Sequence, residues 1–139
     1  MKRMMVAMDG SAPSKRAAQR AAEMAPKLGL ALSLVYVMDE RTLLREWEIG
    51  GDEQEMHDFH RQQAREALER FSEAPELRGA ERVCLFGTPA EALAEAAKAD
   101  DVEMIVLGSR GRTLLSGMLI GSVAHRLIHL CQKPILIVH

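Results

Sequence analysis

The residues best suited to chemistry are three glycines and a serine, Gly108, Gly111, Gly121 and Ser122, spaced Gly-x2-Gly-x9-Gly-Ser. An apolar run, Met104 to Leu107, leads into Gly108-Ser109-Arg110-Gly111, and an amphipathic pattern opens at Gly121-Ser122. A strand that breaks into glycines, followed by a helix that starts on Gly-Ser, presents backbone N–H groups with no side chain in the way. The first helical turn also carries a partial positive charge, and phosphate is the usual guest of such a site. Arg110 and Arg112 lie near enough to add charge. Neither commoner phosphate loop is present: no GxxxxGK[ST] occurs, and no GxGxxG follows the first strand. Each glycine alone reads as a turn former; the set at this spacing reads as a phosphate loop.

Asp9 is the second candidate. The apolar run Met4 to Met8 ends at Asp9-Gly10-Ser11. In open parallel sheets, ligands lie at the carboxyl ends of the strands, where the winding reverses. If the first and fourth strands are neighbours, Asp9 faces the glycine loop across one crevice, where a carboxylate accepts hydrogen bonds from ribose hydroxyls. The alternative, of equal weight on spacing alone, is that Asp9 only shapes the turn before the first helix.

The elements that must position these groups follow in order. Met4 to Met8 is short and apolar throughout, as a strand buried on both faces should be. A helix starts near Ser11 to Ser14 with Pro13 in its first turn, carries Ala17, Ala21, Met24 or Ala25, and Leu28 on one stripe, and ends at Gly29. Leu32 to Val37 is the second strand. Residues 39–55 are polar and irregular; their Trp47 reads as a packing residue. From Met56 the stripe Met56, Phe59, Gln63 or Ala64, Ala67 or Leu68, Phe71 marks a helix, with His57 and His60 read as solvated. Glu81 to Phe86 is the third strand, and Thr88-Pro89-Ala90-Glu91 reads as a capping box opening the next helix. The last helix, from Ser122, buries Val123, Leu127 and Leu130 and turns His125 and His129 to solvent. Ile135 to Val138 is the fifth strand. Strand, helix, strand at these spacings predicts right-handed parallel crossovers and a doubly wound α/β sandwich of five strands with four helices between them.

Composition sets the remaining bounds. The 139 residues suit one domain, residues 1–139, and the formal net charge of −2 makes no electrostatic case for nucleic acid. No apolar run reaches membrane-spanning length, and the N-terminus lacks the long apolar stretch of a signal peptide. Cys84 and Cys131 sit in apolar segments and read as small hydrophobes rather than a disulfide. The expected compartment is the cytoplasm.

These features together resemble the ATP-binding branch of the universal stress protein family. The resemblance rests on Asp9-Gly10-Ser11 after the first strand, Val37 at the end of the second, Gly87-Thr88-Pro89 before the third helix, the Gly108 to Ser122 loop, and Pro134-Ile135-Leu136 opening the last strand. Gln132-Lys133 departs from the small residue and cysteine that many members carry there. The resemblance implies a three-layer, Rossmann-like sheet of the adenine nucleotide alpha hydrolase type, in the order 3-2-1-4-5. It implies adenine near Ala7 and Val37, ribose on Asp9 and Gly108, and phosphates along Gly111, Gly121, Ser122 and Val123; Ser109, Arg110 and Arg112 are further candidates beside them, although the motif does not require arginine. ATP, ADP or AMP is the expected ligand, with Mg²⁺ or Mn²⁺ carried on the phosphates and no metal ligand from the chain. It further implies a homodimer through the edge strand Ile135 to Val138 and an unnamed protein partner. With no nucleophile–base pair and no carboxylate cluster evident, the expected role is nucleotide-responsive signalling in stress, with slow ATP hydrolysis at most. The competing readings are an ATP-cleaving enzyme of related fold and a nucleotide-free dimerisation module.

Overall fold

The computed structural model describes residues 1–39, 53–110 and 120–139. Their order is β1 (Arg3–Ala7), α1 (Ala12–Leu28), β2 (Ala31–Asp39), α2 (Glu53–Phe71), a 3₁₀ turn (Pro75–Leu77), β3 (Glu81–Gly87), α3 (Pro89–Ala96), β4 (Val102–Gly108), α4 (Ser122–Leu130) and β5 (Ile135–Val138). The strands form one parallel sheet in the order β3-β2-β1-β4-β5. This is the order that the family resemblance implies, and it makes β1 and β4 neighbours.

Strand side chains alternate between two faces, and the core divides accordingly. Met4, Val6, Met8, Leu34, Tyr36, Met38 and Val106 pack under α1 and α2. Met5, Val35, Ile105 and Leu107 pack under α3 and α4, with Ala7, Val37 and Leu85 half-buried beside them. The short apolar strands are explained by this burial on both sides.

Helix ends follow local chemistry. Ser11 caps α1 by accepting from the Ser14 N–H at 3.2 Å, Pro13 occupies the first turn, and Gly29 closes the helix in the left-handed region at φ 68°. The buried face of α1 is Ser14, Ala17, Ala18, Ala21 and Ala25. Alanine lets this helix approach the sheet closely, and Leu28, expected on the stripe, is exposed.

Two helical patterns are displaced from expectation. In α2, Phe59 is exposed and His60 is buried, so the inward stripe runs His60, Ala64, Ala67, Leu68. The expected solvation of His60 is thus corrected; His57 is exposed. In α4, Leu130 is exposed and the inward residues are Ala124 and Leu127, with Val123 half-buried. In each case the expected stripe matched apolar identity, whereas the helix turns toward the sheet the residues whose Cβ directions its crossing angle demands.

Candidate functional site

The parallel register brings the expected residues to one row. Ala7 pairs with Val35 and Val6 with Val106, so continuing both ladders sets Asp9 level with Val37 on one side and with Ser109 on the other. The β1–β2 ladder runs one residue further, as the Met8 N–H reaches the Val35 carbonyl at 2.7 Å, and on its other side the end of β4 stays tied to β5, the Ser109 N–H reaching the Val138 carbonyl at 2.8 Å. Alternation places Val37, Asp9 and Ser109 on the α3/α4 face, with Leu85 beside Val37 and Ala7 one row below. An apolar floor, Ala7, Val37 and Leu85, therefore meets a carboxylate and a hydroxyl at the carboxyl ends of β2, β1 and β4. This is the switch point, where β1 feeds a helix on one face and β4 feeds a helix on the other.

The turn after β1 holds Asp9 in place. Its Oδ1 accepts from the Ser11 N–H at 2.9 Å and also from the Ser11 hydroxyl. Ser14 Oγ accepts from the Asp9 N–H at 3.4 Å and donates to the Ser11 carbonyl at 2.9 Å. Asp9 thus shapes the turn, and the same bonds orient its carboxylate. Gly10 stands at φ 85°, and a Cβ there would lie 2.5 Å from the Phe71 ring. Only glycine fits both the backbone angle and the ring behind it.

Gly108 has its own packing reason. Its α-carbon turns toward α1, where a Cβ would lie 2.7 Å from the Pro13 backbone carbon. The end of β4 and the start of α1 approach this closely because Gly108 has no side chain. Ser109, next along, is 1% exposed, and its hydroxyl has no hydrogen-bond partner among the described residues. The Gly121 N–H donates to the Ser109 carbonyl, tying the start of α4 to the end of β4. Gly121 is the N-cap of α4 and supplies no side-chain oxygen to cap the first turn at Ser122 and Val123. Uncapped N–H groups at a helix start favour an anion. Arg110 is exposed. Gly111 and Arg112, together with Trp47 and most of residues 39–55, lie outside the described residues.

Across the same face, α3 opens differently from the expected capping box. The Thr88 side chain makes no cap bond. The Glu91 carboxylate is drawn away to Arg126 on α4, whose Nε donates to Oε1. That bond, with one from its own backbone N–H, holds the Glu91 carboxyl below the usual carboxylate range. In the sequence Glu91 stands out only as part of a capping box, and neither Arg126 nor Asp39, which continues the Val35, Val37 alternation on the site face, stands out at all. The alternation itself is the signal for Asp39. The pair has no local signal, because its partners are 35 residues apart.

His125 and His129 stack edge to face, centroids 5.1 Å apart, on the exposed side of α4. Cys84 and Cys131 are free and half-buried, and burial pushes the Cys84 thiol up. Among the described residues, no three His, Cys, Asp or Glu side chains converge to hold a metal ion. No described helix is long and apolar enough to cross a membrane.

The arrangement can bind a flat apolar group on the floor, hydrogen-bond a polyol at Asp9, and receive an anion at the start of α4. The family model for the universal stress protein family matches residues 1–139. The universal stress protein YxiE of Bacillus subtilis is 31% identical over 144 aligned residues, covering 98% of this chain and 97% of its own. The solved structure of MJ0577, from Methanocaldococcus jannaschii, superposes with a TM-score of 0.80 at 26% identity, covering 99% of this chain and 94% of that one. A universal stress protein solved in complex with cAMP superposes with a TM-score of 0.64 at 25% identity, covering 99% of this chain and 96% of that one.

Proposed function

Because the chain belongs to the universal stress protein family, we propose that it binds an adenine nucleotide at the β1/β4 switch point and acts as a nucleotide-responsive stress or signalling module. The observation that carries this is the row Val37, Asp9, Ser109 ending at the uncapped start of α4. Ala7 and Val37 would face the base, and Asp9 and Gly108 the ribose. Gly111, Gly121, Ser122 and Val123 would line the phosphates. The orphaned Ser109 hydroxyl and the bare first turn of α4 fit a ligand rich in acceptors. A relative solved with cAMP supports the adenine class. ATP, ADP and AMP all satisfy the row. Bound ATP supplies a transferable phosphoryl group, and Mg²⁺ or Mn²⁺ would ride on its phosphates. The chain's own part is to bind and orient, so hydrolysis is expected to be slow at most. A homodimer through Ile135 to Val138 and an unnamed protein partner complete the proposal.

A second reading keeps the glycines purely structural and makes the chain a nucleotide-free dimerisation module. It is favoured by the contact of Gly108 with Pro13 and by the bond from Gly121 to Ser109. One experiment separates the two. Mass spectrometry of small molecules released on denaturing freshly purified chain is expected to find an adenine nucleotide. Calorimetry is expected to show ATP binding by the wild type and its loss in Gly121→Val, whose branched side chain covers the first-turn N–H groups. A wild type that binds no adenine nucleotide overturns the proposal in favour of the second reading.

A further inference from the structure

We propose that Arg126, held by Glu91, reads the number of phosphates on the bound nucleotide. This inference rests on the nucleotide site proposed above and names what decides its preference among nucleotides.

Arg126 lies one turn beyond Ser122 on α4, and helical side chains lean toward the N-terminus of their helix. Its guanidinium is thereby carried back toward the turn that would meet the phosphates. It is anchored there by Nε alone, to Glu91 Oε1. Among the described residues, its two terminal nitrogens meet no acceptor. The side chain is 61% exposed and that of Glu91 39%, so the pair stands at the surface rather than inside the core. The second Glu91 oxygen is buried without a hydrogen-bond partner among the described residues.

A structural tie between α3 and α4 does not need this arrangement. Arginine and a carboxylate pair most strongly through two parallel N–H···O bonds. Here the fork is turned so that its outer edge stays open, which is the edge that matches a phosphate. Arg126 is set back from the helix start by one turn, and its side chain leans toward that start. An α-phosphate seated on Ser122 and Val123 would leave it unused, whereas a β- or γ-phosphate extends the charge toward it. Glu91 fixes the guanidinium and also repels the distal phosphates, so it moderates the preference that Arg126 creates.

The test is calorimetric titration of the full chain with ATP and with AMP, in the wild type, Arg126→Gln, Arg126→Lys and Glu91→Gln. Arg126→Gln is expected to raise the Kd for ATP about tenfold, as the loss of one charge-assisted contact does, while leaving the Kd for AMP within about twofold. Arg126→Lys keeps the charge without the anchored fork and should fall between the two. Glu91→Gln should tighten ATP about two- to threefold and leave AMP unmoved, because a negative charge near the distal phosphates is removed. The ratio of the two Kd values is the decisive readout, since a merely structural tie weakens both nucleotides alike. If the wild type binds both nucleotides and the ratio is the same in every variant, the role of Arg126 is overturned while the nucleotide site stands. If the wild type binds neither, the site itself falls and this inference with it.

Discussion

At the scale of single residues, Ser109 is buried with a hydroxyl that meets no partner among the described residues. A buried hydroxyl without a partner costs about 1–3 kcal/mol. Ser109→Ala is therefore expected to raise the stability of the nucleotide-free chain by about 1 kcal/mol in urea denaturation. If the hydroxyl serves the ligand, the same variant should bind ATP more weakly by calorimetry. A loss of stability instead would mean that the hydroxyl has a partner within the fold. The residues around it were unequally legible. Asp9 was visible as an acid ending an apolar run, but its two roles could not be separated, because spacing does not say which oxygen faces what. The turn bonds to Ser11 and the register with Val37 and Ser109 are both present. Gly108 read as part of a phosphate loop, yet the contact that excludes a side chain there is with Pro13, 95 positions earlier in the chain. No local pattern carries such a contact.

At the scale of elements, two helix starts that look alike in sequence differ in structure. Ser11 caps α1 with its side chain and binds Asp9, whereas Thr88 makes no side-chain cap. Ser11→Ala is expected to cost about 1–2 kcal/mol in urea denaturation, and Thr88→Ala less than about 0.5 kcal/mol. Equal losses would mean that α3 is capped after all. The Thr88 to Glu91 spacing satisfies the capping-box rule, but Arg126 competes for the glutamate, and a charged donor outbids a backbone N–H. The displaced stripe of α2 has a similar origin. Phe59 is more apolar than His60, but which of two adjacent residues turns inward depends on how the helix seats on β2 and β3.

At the scale of the whole molecule, the sheet leaves one apolar strand to account for. β5 pairs with β4 on one side, and its four residues, Ile135 to Val138, are half-buried. An apolar edge strand templates pairing with another chain. The proposed homodimer covers it, and light scattering is expected to report twice the 15.4 kDa chain mass. Ile137→Lys should give monomer or aggregate, with circular dichroism showing whether the fold survives. An unchanged dimer in that variant would place the interface elsewhere.

By itself, the sequence determined the strand and helix succession, the parallel sandwich, the turn at Asp9-Gly10-Ser11 and the glycine spacing. These depend on periodicity, on caps and on backbone freedom, all of which act over a few residues. Tertiary structure alone decided the register that sets Val37, Asp9 and Ser109 in one row, the seat of Gly108 on Pro13, and the reach of Arg126 to Glu91. Each joins segments far apart in the chain, and only the packing of two helical layers on one twisted sheet brings them together.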